Sequence, residues 1–397
     1  MKRKIFVIGI VFLLSLAGFT LAGSKEKKII YTVTLPNFSI EDYDEKYIEI
    51  KIDGSSYLME SGYPVLPKIS KTFEIEFGAK NIDIKVFPKN IKEFLIDKEI
   101  RPSSAFLPLS IENAQYPKNL NFYSSLEIYP NSWYAYRVGC GLNDKMEHVT
   151  FVTVHLFPIR YKPSEGKIYF AKNFEIRIKY EKPSINFPSS YDLVIISPKE
   201  FAEELNRLVE HKNSHGVKTF LKTTDEIYSS YPGRDKPEQI KYFIKDAIES
   251  YGIKYVLLVG GLKSVIYAKP RDNANYGDKG WYLPVRYTNL YDNPKYPLQQ
   301  EIIFDPGVAC DLYYADIYGK EGKFETWDTN NDGIFAAWNK PGVENDTGLD
   351  LYPDVAVGRL ACTSLKEVKI VVDKIINYEN NPFDEFKKII VVSGDGF

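Results

Sequence analysis

Two folds in series are predicted: an antiparallel β-sandwich over residues 23–181, then an α/β unit with a mostly parallel sheet over residues 191–397. Three observations carry this. Apolar residues alternate with polar ones as far as Tyr180, a Pro- and Ser-rich break follows at 182–190, and near-continuous apolar strands then alternate with amphipathic helical stretches. A chain of 397 residues is long enough for two such cores.

The first 22 residues stand apart from both folds. Lys2-Arg3-Lys4 is a basic start, Ile5 to Ala17 an apolar core, and Thr20-Leu21-Ala22 a run that permits cleavage before Gly23. That is the pattern of a secretory signal peptide. The apolar run is shorter than the roughly 20 residues of a membrane span. No Cys follows it, so no lipid anchor is expected, and the mature chain should be exported without a stable membrane anchor.

In the first fold, Phe73, Ile75 and Phe77 alternate with polar residues. Gly78-Ala79-Lys80-Asn81 turns the chain into Ile82, Ile84 and Val86. The pattern returns at Val149–Val154 and at Phe174, Ile176, Ile178 and Tyr180. Short strands separated by Pro and Gly, with almost no helical periodicity, read as a sandwich. Lys182 to Ser190 is the linker, expected to be exposed and mobile, and Lys179 is the expected site of cleavage by a Lys-directed protease.

In the second fold, Tyr191–Ile196 is the first strand, apolar on both faces as in a covered parallel sheet. Ser197-Pro198-Lys199-Glu200 predicts a capping box, ahead of a helix whose stripe is Phe201, Leu205, Leu208 and Val209. A strand near Val217–Leu221 follows. Asp235-Lys236-Pro237-Glu238, another capping box, then opens a helix with Ile240, Phe243, Ile244, Ala247, Ile248 and Tyr251 on one face. Tyr255–Val259, Val355–Arg359 and Lys388–Val392 are strands, and Ser364 to Asn377 is a helix. Repeated strand–helix–strand order means a doubly wound sheet. No helix follows Val392, so the sequence reads as stopping partway through this second unit.

Lys+Arg 51 against Asp+Glu 53 leaves a net charge of −2, which gives no electrostatic pull toward nucleic acid or an anionic membrane. Three Cys and four His are too few for a disulfide scaffold or a His-rich metal site. Neither phosphate-loop fingerprint is present, so a nucleotide site is not expected. Chemistry in an open parallel sheet collects at the carboxyl ends of its strands. Three loops lie there: Gly260-Gly261, Gly358–Cys362 and Ser393–Gly396. Asp395, flanked by glycines, could orient a His from a neighbouring loop, or be an ordinary turn residue. Cys310 and Cys362 are exported thiols that could pair, and no Ser-His-Asp or Cys-His set can be assembled. His215, in Ser214-His215-Gly216, reads as a structural turn with Gly216 closing a helix.

Asp328, Asn330 and Asp332 space side-chain oxygens at alternate positions before Gly333, as in the first half of an EF-hand-like calcium loop. The twelfth position is Asn339 instead of Glu, so a complete EF-hand is not expected, and the same cluster is a good turn former. Asp346, Asp350 and Asp354 follow nearby. The roughly 90 residues between Gly261 and Asp354 lack clear periodicity, and excursions of that length usually carry function.

The order of parts resembles the gingipain-type cysteine peptidases. Gly62-Tyr63-Pro64-Val65-Leu66-Pro67, Gly78-Ala79 and Val154–Tyr161 are similar to their propeptide. Tyr191–Ile196, Tyr255–Gly260, Asp311–Asp316 and Tyr352-Pro353-Asp354-Val355-Ala356-Val357-Gly358-Arg359 are similar to the first half of their peptidase domain. The resemblance implies a caspase-like α/β fold made as a zymogen, whose β-sandwich propeptide is an intramolecular inhibitor. It implies a Cys nucleophile with a His general base, acting on protein or peptide substrates. In the family the Gly-His-Gly motif and the Cys lie beyond the point matched by Phe397. Asp395 falls where the family has an acidic partner for that His. Asp350 and Asp354 match calcium-binding positions, while Gly261 stands where the family has a further ligand.

Two function classes follow. The first is a secreted cysteine endopeptidase zymogen, represented here by its propeptide and the front of its catalytic domain. The second is a non-catalytic exported calcium-binding adhesion or interaction module.

Overall fold

A computed structural model describes residues 26–103, 118–183, 185, 187–263, 280–290, 309–338, 342–381, 388 and 391. The signal-peptide segment, Asn339, most of the expected last strand and Asp395 lie outside the described residues.

The alternating segments form eleven strands: β1 (Glu26–Thr34), β2 (Ser39–Asp42), β3 (Tyr47–Lys51), β4 (Ser56–Leu58), β5 (Leu66–Glu76), β6 (Lys80–Leu95), β7 (Glu99–Ile100), β8 (Tyr134–Leu142), β9 (His148–Leu156), β10 (Ile159–Lys162) and β11 (Lys167–Glu181). A one-turn helix, α1 (Leu120–Tyr123), lies between β7 and β8. In one sheet β11 pairs antiparallel with β1 and β10 on one side and β6 on the other; the second runs β4-β5-β9-β8. The turn at 78–81 therefore carries the chain from one sheet to the other, since β5 pairs with β9 and β6 with β11. Period-2 alternation puts Ile84, Val86, Phe174, Ile176 and Ile178 of the first sheet against Ile69, Ile75, Val152 and Val154 of the second. A second cluster, around Ile50, Leu66, Tyr161 and Phe170, closes one end.

The α/β unit contains β12 (Leu193–Ser197), α2 (Ala202–Ser214), β13 (Thr219–Thr223), α3 (Thr224–Ser230), α4 (Lys236–Tyr251) and β14 (Tyr255–Val259). Beyond it lie β15 (Asn289–Leu290), the one-turn α5 (Leu312–Ala315), β16 (Tyr318–Gly319), β17 (Lys323–Phe324) and β18 (Ala337–Trp338). The last described elements are β19 (Ala356–Leu360) and α6 (Leu365–Asn380). The sheet is parallel in the order β13-β12-β14-β19. Alternate residues of β12 face opposite layers: Leu193 and Ile195 meet Leu205, Leu208, Val368 and Val372 of α2 and α6. Val194 and Ile196 meet Ile227 of α3 and Ile240, Phe243, Ile244 and Ile248 of α4. Two-sided cover explains why these strands carry no alternation.

Several expectations are corrected. Ser197 does not cap a helix: its hydroxyl donates to Pro198 O, and a short 3-10 turn, Lys199–Phe201, precedes α2 without a side-chain cap. Only half of the expected capping box forms at α4. Asp235 accepts from Glu238 N at 3.0 Å, while Glu238 is held by the Arg234 guanidinium. A full box forms instead between Thr223 and Glu226, opening α3. The linker is partly pinned, because Phe187 packs on Phe77, His148 and Tyr318, and Ser190 N donates to Tyr251 O. Lys179 is not in the linker at all. It lies within β11, paired with Lys28 on one side and Asp83 on the other.

Candidate functional site

The two units meet along the free edge of β8. Leu142 N donates to Pro353 O at 2.8 Å and Cys140 N donates to Asp350 Oδ2 at 2.9 Å. The His148 ring donates from Nε2 to Asp354 O at 2.8 Å. Tyr352 lies in a notch made by Gly139 and Gly141 and stacks on Phe151, ring centroids 4.9 Å apart. A Cβ at Gly139 would stand 2.5 Å from the Tyr352 ring, and one at Gly141 2.9 Å from Pro353 O. Phe77 and Cys140 of the β unit belong to the same buried cluster as Ile244, Tyr313 and Trp327 of the α/β unit. The two units share a core.

Behind this seam lies a buried charged chamber. Asp354 Oδ2 accepts from Ile317 N at 2.8 Å and Tyr318 N at 2.7 Å, while Asp316 Oδ2 accepts from Trp327 Nε1 at 2.7 Å. Asp350 accepts from Tyr352 N at 3.0 Å on its other oxygen. Lys241 of α4, 0% exposed, holds its ammonium 4.4 Å from the Tyr313 ring centroid. Burial pushes the Asp316, Asp350 and Asp354 carboxyls above the usual carboxylate range. Burial lowers the Lys241 amine, and the charge on Asp316 opposes that shift most strongly.

The Asp328 loop is closed by its own backbone N–H groups. Asp332 N donates to Asp328 Oδ1 and to Asn330 Oδ1, both at 3.0 Å, and Gly333 N to Asp328 Oδ2 at 3.1 Å. Asp346 ties the loop down from outside, accepting from Thr329 N at 2.6 Å and Ala337 N at 2.8 Å. Arg234 forms an ion pair with the buried Asp328 carboxylate, a partner its distance in sequence concealed. Asp350 and Asp354 do not join this loop; they sit at the seam between the units.

Two of the three predicted strand-end loops come together. Gly260 N donates to Leu360 O at 2.9 Å and Gly261 N to Cys362 O at 2.8 Å. Arg359 spends all its donors here: on Gly260 O at 2.8 Å, Leu283 O and Pro284 O at 3.0 Å, and both Asp311 oxygens at 2.6 and 2.8 Å. A cleft of about 350 Å³ opens at this edge, lined by Lys199, Thr224, Lys263, Trp281 and Tyr282. The third loop, with Asp395, is outside the described residues.

All three thiols are free, so Cys310 and Cys362 are not paired, and burial pushes each thiol up. Each His is engaged elsewhere. His155 Nδ1 meets Ser70 Oγ at 2.8 Å, His211 Nε2 meets Glu379 Oε2 at 2.9 Å, and His215 Nδ1 meets the His211 carbonyl at 2.8 Å. Gly216 closes α2 with φ +81°, as expected. Among the described residues no His–Cys hydrogen bond forms.

The calcium expected at Asp350 and Asp354 does not fit the residues present. Both Asp350 oxygens accept backbone N–H groups. Gly261 supplies no carboxylate and has no room for one: a Cβ there would stand 2.5 Å from Ala361 O. Among the described residues no three His, Cys, Asp or Glu side chains are grouped to hold a metal ion.

Comparison with known proteins adds an independent finding. The profile of Peptidase family C25 matches residues 187–397, and that of Propeptide_C25 residues 20–194. Gingipain R2 of Porphyromonas gingivalis is 24% identical over 197 residues, which is 49% of this chain and 18% of that protein. Gingipain R1 of the same organism is 23% identical over 197 residues, covering 49% and 13%. The match thus spans less than a fifth of either relative. A solved structure described as giving insight into the zymogenic latency of gingipain K, also from Porphyromonas gingivalis, is 14% identical. It covers 40% of this chain and 88% of that one, with a TM-score of 0.35.

Proposed function

Because the chain belongs to peptidase family C25 and carries that family's propeptide ahead of the peptidase unit, we propose that it is the front portion of a secreted cysteine endopeptidase zymogen. The observation that supports this most directly is the seam. Strand β8 of the propeptide unit lies along Asp350–Asp354 of the peptidase unit, and the two share a core. A propeptide seated in this way acts as an intramolecular inhibitor of the unit it covers. In this reading residues 1–22 are the signal peptide, 23–181 the propeptide, and 191–397 the front of a caspase-like peptidase domain. The Cys nucleophile and His general base belong to sequence following Phe397, with Asp395 the acidic partner of that His. Protein or peptide chains are the substrates.

Calcium is proposed for the loop of Asp328, Asn330 and Asp332 alone. It is a structural ion there, and its binding displaces the Arg234 guanidinium from Asp328.

Reading the gene past the codon for Phe397 is the decisive experiment. A continuous frame into a Gly-His-Gly motif and a Cys, whose expressed product hydrolyses peptides in a thiol-blockable way after propeptide cleavage, supports the proposal. A frame that ends without either residue refutes it.

A further inference from the structure

The Gly62-Tyr63-Pro64 stretch takes no part in the seam. It lies at one end of the β unit, where Tyr63 lines an open pocket of about 350 Å³. The floor of that pocket is aromatic: Phe122, Tyr129 and Phe157 are buried and Tyr63 is half-buried. The Tyr63 ring centroid lies 5.1 Å from that of Phe122 and 4.9 Å from that of Tyr129, which are themselves 5.8 Å apart. The rim is acidic, since Glu60 and Glu127 line the same pocket and both are exposed. Other carboxylates of the β unit find cations, as Glu49 does in Arg101 and Glu99 in Lys118. Glu60 and Glu127 have no cation partner among the described residues, and Glu60 Oε2 accepts the Tyr129 hydroxyl at 3.2 Å. Arg160 is already committed, to Pro130 O at 2.8 Å, Asn131 O at 2.9 Å and the Trp133 ring.

The walls are tied together by backbone bonds. Tyr63 N donates to Glu60 O at 2.9 Å, so one tight turn supplies both a ring and a carboxylate. Asn119 N donates to Gly62 O at 3.0 Å and Asn119 Oδ1 accepts from Phe122 N at 3.1 Å, which pins α1 to that turn. Tyr129 and Tyr161 exchange N–H···O bonds at 3.0 and 2.7 Å.

We propose that this pocket binds an arginine side chain presented by an extended polypeptide. Faces of aromatic rings attract cations, and the methylene stem is apolar enough to lie along them. A guanidinium at the mouth offers a fork of donors to the two carboxylates. An acidic partner would meet two uncompensated charges, and a purely apolar one would cover them without a counter-charge. Met59 and Leu126, 43% and 77% exposed, adjoin the two rim carboxylates in sequence and leave apolar surface for the residues flanking that arginine. Because the walls are already held, little ordering cost opposes binding. The pocket belongs to the β unit alone, so its occupancy stands apart from the peptidase reading.

Isothermal titration of the 397-residue chain with acetyl-Leu-Arg-Leu-amide tests this, beside the same peptide carrying citrulline for arginine. The arginine peptide should bind at one site, and loss of its charge should weaken binding at least about tenfold, as for a charged hydrogen bond. Combining Glu60→Gln with Glu127→Gln should weaken the arginine peptide by a similar factor and leave the melting temperature unchanged, because both residues are exposed. Free argininamide should bind more weakly than the peptide. No saturable binding, equal affinity for the citrulline peptide, argininamide as tight as the peptide, or an unaffected double variant overturns the proposal. If the double variant melts early, Glu127→Gln alone is titrated: weakened binding supports the proposal and unchanged binding overturns it.

Discussion

The backbone N–H of Cys140 donates to Asp350 Oδ2 at 2.9 Å, joining residues 210 positions apart and two units that the chain builds separately. The flanking glycines make this approach feasible, since either Cβ would collide with Tyr352 or its neighbours.

Gly139→Ala should therefore unseat the seam. Its Cβ would stand 2.5 Å from Tyr352 Cδ2 and 2.7 Å from Asp350 Cβ, and such overpacking typically costs about 1–3 kcal/mol. Thermal melts measure this, and the loss should be smaller when Tyr352→Ala is already present. Additive losses would show that the notch is not where the strain arises.

Stability should depend on pH through His148, whose imidazole burial pushes down from 6.5 to about 4. Above about pH 6.5 the ring is neutral in folded and unfolded chains alike. As pH falls from there toward 4, the unfolded chain takes up a proton that the folded one refuses, so stability is lost, by about 3 kcal/mol at most. The raised carboxyls of Asp316 and Asp350 act in the opposite sense, so the quantity to read is the wild type minus His148→Gln. A difference that stays flat between pH 7 and pH 4 would contradict the assignment.

Calcium at the Asp328 loop should stabilise the chain, by about 2.7 kcal/mol when its concentration is a hundred times Kd. Asp328→Ala should abolish the response, and Arg234→Gln should strengthen it by removing the competing guanidinium. An unchanged melting temperature in millimolar calcium, for the wild type and Arg234→Gln alike, rules the loop out.

The purified chain should show no thiol-sensitive peptide hydrolysis. Burial holds its thiols protonated, and native-state labelling should modify the half-buried Cys310 before the buried Cys140 and Cys362. Rapid labelling of Cys362 would mean that its surroundings open in solution.

A Lys-directed protease should spare Lys179, which is hydrogen-bonded within a ladder on both sides. Mass spectrometry of early fragments tests this directly, and a first cut after Lys179 would place that end of β11 outside the sheet.

Much of the architecture was legible because it is periodic. Ile84, Val86, Ile176 and Ile178 betray a sandwich face two residues at a time, and the unbroken Leu193–Ile196 run betrays a sheet covered on both sides. The Asp328 loop was legible because its oxygens are neighbours in sequence. The chamber was not. Lys241 looks like one polar position beside a helical stripe, and only the packing of Tyr313, Phe324 and Trp327 around it shows that the stripe is wide enough to bury it. Arg234 and Asp328 are 94 residues apart, so no local pattern could reveal their pairing. The Ser197 cap failed because a 3-10 turn, ending at the buried Phe201, intervenes before α2.

The shared core has a consequence for the order of synthesis. Phe77 and Cys140 are translated before any strand of the parallel sheet, yet they finish the hydrophobic layer against which Ile244, Tyr313 and Trp327 pack. Domains generally fold as units, N-terminal first, during synthesis, so the β unit is in place as a template when α4 emerges. A peptidase unit made without that template would expose an apolar hollow where Phe77 belongs. The β unit is thus also the mould in which the α/β unit is cast.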